Sequence, residues 1–296
     1  MTNLPALWTA LITPFHEDGS VDFESLEKLV KSQEKAGNGI LLAGSTGEGL
    51  ALTHEEKQKI VRKVCDMKLK VPVMAGVGGY NLNEQVEWIE ECNQFGADAF
   101  LLVTPLYARP GIEGQTDWFL SLMDAAKKPC MIYNIPSRTG VKMPVQVLKN
   151  IEHHERFWSV KEASGSIHDY MDFKFACPDV PLFSGDDGLL PFFSAVGCSG
   201  LVSVASNAWP EETRLYVQKC LQRDTGELVE VWKNGSASLF SAPNPVPIKI
   251  LMKEKGLIPQ SVVRPPLSEK DLPGISGLMD ADNKIKEWYQ SSTGSE

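Results

Sequence analysis

Short apolar runs, rich in β-branched and aromatic residues, recur along the chain with helical patterns between them. Eight read as strands: 7–13, 39–43, 71–75, 99–104, 130–134, 158–161, 182–184 and 201–204. Between them lie amphipathic stretches such as 23–35, 54–67, 82–95 and 114–126. In the first, Phe23, Leu26, Leu29 and Val30 recur at helical spacing. Asp22, and Thr53 with Glu56 three residues on, read as helix N-caps. A weak internal repeat, led by Gly37, Gly96 and Gly197, precedes three strands and reads as helix C-caps feeding the next strand. Strands alternating with helices every 20 to 33 residues or so imply parallel βαβ units. Eight such units over about 220 residues predict a closed (β/α)8 barrel. An open doubly wound sheet is the alternative; it would normally carry a nucleotide fingerprint after the first strand, and Thr13-Pro14-Phe15 is not one. From Thr225 the strand signals stop. Stretches 228–240, 247–255 and 269–289 look helical, with Pro243, Pro245, Pro259 and Pro265 marking loops. The expected organisation is a barrel over 1–224 and a small helical region over 225–296, with 291–296 frayed.

Composition narrows the partners. The chain has 296 residues and 43% hydrophobic content, enough for a sizeable core. A net charge of -9 argues against a broad nucleic-acid footprint but leaves room for a local anion site. Six scattered cysteines without a C-x-x-C pair fit reduced thiols in the cytoplasm, not a disulfide framework or a zinc site. The N-terminus lacks a basic region and Pro5 interrupts any apolar stretch, so no secretory signal is expected. Residues 188–210 carry no charge, but Pro191, Gly197 and Gly200 divide them into a short helix, a turn and a buried strand rather than a membrane span.

The chemistry gathers where a barrel places its active site, at the C-terminal ends of the strands. Lys161 ends the apolar run 157–160. Burial there lowers an amine's pKa, and a neutral amine can attack a ketone to form a Schiff base. Gly44-Ser45-Thr46-Gly47-Glu48 follows the second strand. It reads as a plain tight turn, or as a cradle of backbone N–H groups for a carboxylate, ahead of a helix. It is not a P-loop, since no Gly-Lys-Ser/Thr follows. Tyr133 reads as a core aromatic or as a proton carrier for a carbinolamine, and Arg138 as a solvated charge or a bidentate carboxylate anchor. His153 and His154 are adjacent, so their side chains diverge; they read as surface residues, and no metal-ligand cluster is expected. Taken together, the set describes an amine-nucleophile site for a small carboxylated ketone.

At these residues the chain resembles the 4-hydroxy-tetrahydrodipicolinate synthases, also called dihydrodipicolinate synthases, Schiff-base lyases of the N-acetylneuraminate lyase superfamily. The resemblance is carried by GSTGE at 44–48, YNIPSRTG at 133–140, KEASG at 161–165 and SGDD at 184–187. It implies condensation of pyruvate with L-aspartate-4-semialdehyde on Lys161, without a cofactor, in the diaminopimelate and lysine branch. It implies a proton relay of Tyr133, Thr46 and Tyr107, with Tyr107 entering from a neighbouring subunit. By the same resemblance Ser45 and Thr46 would bind the pyruvate carboxylate with backbone near Val202, Gly185 would join the substrate-binding residues, and Arg138 would hold the semialdehyde carboxylate. It also implies a cytoplasmic homotetramer, a dimer of dimers. N-acetylneuraminate lyases and sugar-acid aldolases are the alternative, and they depart from this pattern at Arg138. A silent barrel serving as a scaffold is a third reading; it would have lost Lys161, Tyr133 or Thr46, and none is missing. Of the positions that line the family's lysine-inhibition pocket, His54 and Glu84 match, whereas Gly49, Leu50, Lys57, Tyr80 and Leu106 depart. Weak or absent inhibition by lysine is expected.

Overall fold

The computed structural model describes residues 4–294, and in it eight strands close into one parallel barrel in chain order. The first half runs β1 (Leu7–Ala10), α1 (Phe23–Ala36), β2 (Gly39–Leu42), α2 (His54–Asp66), β3 (Val73–Val77), α3 (Leu82–Phe95), β4 (Ala99–Val103) and α4 (Ile112–Ala125). The second runs β5 (Cys130–Asn134), the short α5 (Pro136–Thr139), α6 (Val145–Ile151), β6 (Phe157–Glu162), α7 (Ile167–Ala176), β7 (Leu182–Ser184), α8 (Leu190–Ala195), β8 (Gly200–Ser203) and α9 (Pro210–Leu221). Then come α10 (Leu228–Leu239), α11 (Val246–Glu254) and α12 (Ser276–Thr293). Closure is direct: Leu7, Trp8 and Thr9 of β1 pair with Leu201, Val202 and Ser203 of β8.

Strand alternation decides what enters the barrel. On β5, Cys130 and Ile132 pack outward under the helices, while Met131 and Tyr133 turn inward with Trp8, Leu41, Met74 and Leu101. Trp158 seals the N-terminal end, with ring centroids 6.0 Å from Trp8 and 5.3 Å from Phe183. The register between β5 and β6 sets Tyr133 opposite Lys161 and Asn134 opposite Glu162, at the other end of the barrel. The fold thus fills its floor with aromatic side chains and leaves its C-terminal mouth to polar ones.

The local signals act as their chemistry requires. Asp22 accepts from the N–H groups of Glu24 and Ser25, and Thr53 and Glu56 form a reciprocal capping box. Gly37 and Gly96 end α1 and α3 in left-handed geometry, and Gly197 has φ +89° just after α8. The uncharged 188–210 stretch forms α8, a turn and β8. Among the described residues no helix is long and apolar enough to cross a membrane, and all six thiols are free and buried.

Several expectations shift, and β1 ends at Ala10 rather than 13. β3 starts at Val73 rather than 71, because Pro72 has no N–H to donate to the ladder. Residues 269–289 are not one helix: Glu269–Asp271 form a 3-10 turn, and α12 begins at Ser276. Pro273-Gly274 breaks the pattern. Nor does the helix fray from residue 291, since α12 continues to Thr293; Ser295 and Glu296 lie outside the described residues.

Candidate active site

Lys161 points into the mouth from β6 and is 4% exposed. Loss of water pulls its ammonium down to about 7; the Arg138 charge adds to this, and Asp187 opposes it. A large fraction of the side chain is therefore a neutral nucleophile at physiological pH. Its Nζ lies 4.0 Å from the centroid of the Tyr133 ring. Asp187, the charge partner that sequence reading passed over, is buried and held near 6 by desolvation, against the pull of the Ser203 hydroxyl and the Val204 N–H. The SGDD run was its only signal. Gly185 makes room for the lysine: a Cβ there would stand 2.6 Å from Ala163 Cβ and 2.8 Å from Lys161 Cε.

Tyr133 is 5% exposed. Burial pushes its phenol up to about 12, while the Arg138 charge and the Ser45 hydroxyl act the other way. It therefore stays protonated at neutral pH and can hand a proton to a developing alkoxide.

The 44–48 turn is closed by the N–H groups of Glu48 and Gly49 on the carbonyls of Ser45 (3.1 Å) and Gly44 (3.0 Å). The N–H groups of Ser45 and Thr46 find no acceptor among the described residues, which leaves them for an anion. The turn does not lead straight into a helix, since α2 starts at His54. Ser45 is exposed on the cavity wall and Thr46 is buried beneath it. Thr46 Oγ1 accepts a hydrogen bond from Asn244 Nδ2 (3.0 Å), and no hydrogen bond joins it to Tyr133. The turn is anchored from the C-terminal region. Lys249 is fully buried in an ion pair with Glu48 and donates to the Val262 carbonyl (2.8 Å). The Arg264 N–H reaches the other Glu48 oxygen (2.8 Å), and its guanidinium forks onto Glu56. None of Asn244, Lys249 or Arg264 was singled out from sequence.

Arg138 sits on α5 at the mouth. Its Nη2 donates to the Asn244 carbonyl (3.3 Å), and no carboxylate among the described residues pairs with it. Val202 lies in the barrel interior on β8. Tyr107 departs most from the other site residues: its ring is 89% exposed, its φ is +66°, and its hydroxyl has no partner among the described residues. A cavity of about 810 Å³ runs from the 44–45 turn past Tyr133 to Arg138, with Tyr107 on its rim. A second opening, of about 970 Å³, lies between Arg138, Gly185, Asp186, Phe192 and Lys233.

Around the first cavity stand Gly49, Leu50, Lys57 and Leu106. The Lys57 ammonium lies 5.1 Å from the Trp88 ring centroid, and burial lowers its pKa. His54 pairs with Glu91 (3.0 Å), and Glu84 accepts from Asn81 (2.7 Å). Of the two adjacent histidines, His153 is exposed, and His154 is half-buried but bonds the exposed Asp124 at the surface (3.1 Å), with its Nδ1 accepting from the Arg156 N–H.

Three comparisons bear on this arrangement. The family model described as the dihydrodipicolinate synthetase family matches residues 3–280. The 4-hydroxy-tetrahydrodipicolinate synthase of Francisella tularensis subsp. novicida is 45% identical over 284 residues, covering 96% of each chain. That of Wolbachia pipientis from Culex pipiens is 42% identical over 285 residues, covering 96% of this chain and 97% of its own. Among solved structures, the 4-hydroxy-tetrahydrodipicolinate synthase of Methylacidiphilum fumariolicum superposes with a TM-score of 0.89 at 31% identity, covering 96% of this chain and 97% of that one. The chloride-inhibited dihydrodipicolinate synthase of Acinetobacter baumannii, solved with pyruvate, gives 0.87 at 28% identity, with 96% and 99% covered.

Proposed function

The chain belongs to the dihydrodipicolinate synthetase family, and from that premise we propose that Lys161 is the Schiff-base nucleophile of a 4-hydroxy-tetrahydrodipicolinate synthase. The enzyme is a lyase that condenses pyruvate with L-aspartate-4-semialdehyde, a step of lysine and diaminopimelate biosynthesis. The observation that carries the residue assignment is the buried lysine with its ammonium near 7, facing a protonated tyrosine and an arginine without a carboxylate partner.

The chemistry follows from these positions. The N–H groups of Ser45 and Thr46, with the Ser45 hydroxyl and backbone near Val202, hold the pyruvate carboxylate. The Lys161 amine bonds to C2 of pyruvate, and the carbinolamine loses water after Tyr133 delivers a proton to its oxygen. The iminium is an electron sink: loss of a methyl proton gives an enamine, whose carbon bonds to the aldehyde carbon of the semialdehyde. The new alkoxide takes a proton back through the Tyr133 and Thr46 relay. The substrate's own amine then attacks the imine carbon, the ring closes, and the bond to Nζ breaks. Lys161 itself supplies the sink, so the reaction so written calls for no cofactor. Arg138 binds the semialdehyde carboxylate in bidentate fashion beside Gly185.

Tyr107 completes the relay from a second copy. Its bulky ring in left-handed geometry is costly in an isolated chain, and its exposed hydroxyl is free to serve a neighbour. The working assembly we propose is a cytoplasmic homotetramer of paired dimers, as the resemblance to the family implies. Assaying pyruvate against aspartate semialdehyde and against sugar aldehydes tests the reading. Only the semialdehyde should turn over well. Arg138→Ala should lower kcat/KM for it about 100-fold and leave borohydride trapping of pyruvate intact. Equal use of a sugar aldehyde, or indifference to Arg138, refutes it.

A further inference from the structure

The mechanism leaves one buried contact without a role. Asn244 stands in the loop before α11 and is 5% exposed. Its Nδ2 donates to Thr46 Oγ1 (3.0 Å), a residue 198 positions away, and its backbone carbonyl accepts from Arg138 Nη2 (3.3 Å). Its Oδ1 is buried with no donor among the described residues. Turning the amide over would let Oδ1 take the Thr46 proton, yet the NH2 group faces the threonine.

That orientation has a chemical consequence. A hydroxyl has one proton and two lone pairs. An amide NH2 has no lone pair to accept a proton, so it engages Thr46 only as an acceptor. The Thr46 proton must then point elsewhere. We propose that Asn244 is the positioning residue of the proton relay: it holds Thr46 as a donor toward Tyr133 and, through its carbonyl, ties that setting to Arg138. The proposal rests on the reading of Thr46 and Tyr133 as the relay.

The two halves of Asn244 can be separated. Replacing the side chain removes the amide and keeps the carbonyl on Arg138, so the relay should suffer and the carboxylate clamp should not. Loss of a proton-transfer partner is worth about 100-fold or more; loss of its orientation alone should cost about 10-fold. Thr46 can still turn to the same place, but it is no longer confined there.

The test uses exchange of the pyruvate methyl protons in D2O without semialdehyde, which reports imine and enamine formation without the condensation step, together with steady-state kinetics. Asn244→Ala and Asn244→Asp are made in the wild-type protein and in Thr46→Val, with borohydride trapping at Lys161 as the control for an intact site. Asn244→Ala should lower exchange and kcat about 10-fold, keep KM for the semialdehyde within about twofold, and have no further effect in Thr46→Val. Asn244→Asp should lower exchange more, because its carboxylate captures the Thr46 proton. Should the Asp variant fail to fold, the Ala cycle decides alone. Equal losses in both backgrounds, a KM rise matching the kcat loss, or wild-type exchange in a folded Asn244→Asp would overturn the proposal. Failure of the wild-type protein to trap pyruvate on Lys161 would instead overturn the functional reading beneath it.

Discussion

Replacing Lys161 by methionine should stabilise the protein while abolishing its chemistry, and the stabilisation should fade as pH rises. The fold holds the Lys161 ammonium near 7, against an ordinary value of 10.5. At about 1.36 kcal/mol per unit, that difference is on the order of 5 kcal/mol. Above its ordinary value the amine is neutral in both states and no penalty exists. Between the two values the unfolded chain binds a proton that the folded chain does not, so falling pH favours unfolding; below the folded value the whole penalty stands. At 4% exposure little of this is screened by solvent. Methionine follows the same unbranched path past Gly185. It gives up the contact with the Tyr133 ring, worth about 2 kcal/mol when desolvated. The net gain is roughly 3 kcal/mol near pH 6.5. Asp187, held near 6, titrates below that window. Urea unfolding of both proteins at one fixed concentration, since association shifts apparent stability, measures it from about pH 6.5 to 10.5. A variant no more stable than wild type at the acid end, or a difference that does not shrink toward the alkaline end, would refute the assignment of a buried ammonium that Asp187 only partly offsets.

Other outcomes follow from packing and charge. Gly185→Ala should push its new methyl into Lys161 Cε, which lies 2.8 Å from that position. The expected cost is about 1–3 kcal/mol of stability and about 100-fold slower pyruvate trapping, read by quench kinetics. Glu48→Ala should destabilise by about 3–5 kcal/mol, because Lys249 is left as an unpaired buried cation; Glu48→Gln with Lys249→Met should cost much less, and denaturant titration separates the two. Millimolar lysine should inhibit weakly or not at all, since the Lys57 ammonium beside Trp88 repels a cationic effector. Strong inhibition in a steady-state assay would refute that reading.

How much of this was legible in the sequence follows from how far each signal reaches. All eight strands could be read, because apolar runs between glycine and proline punctuation are local patterns. So could Lys161 and Tyr133, which stand one residue from the C-terminal ends of their strands. The helix read over 269–289 failed where a helical pattern continued through Pro273-Gly274 and the break was overlooked. The network that holds the 44–48 turn could not be read. Glu48 and Lys249 are 201 positions apart and Thr46 and Asn244 are 198 apart, and only the packing of the C-terminal region against the turn brings them together. Asp187 lay inside a recognised motif, but its effect on Lys161 depends on the neighbouring strands and on a burial that no spacing reveals.

The most direct test of the central claim is borohydride reduction in the presence of pyruvate, followed by peptide mass mapping. The adduct should appear on Lys161 alone. Lys249, the other fully buried lysine, is lowered only to about 8 and is engaged by Glu48, so it should stay unmodified. An adduct on Lys249 or any other residue, or none at all, would contradict the account.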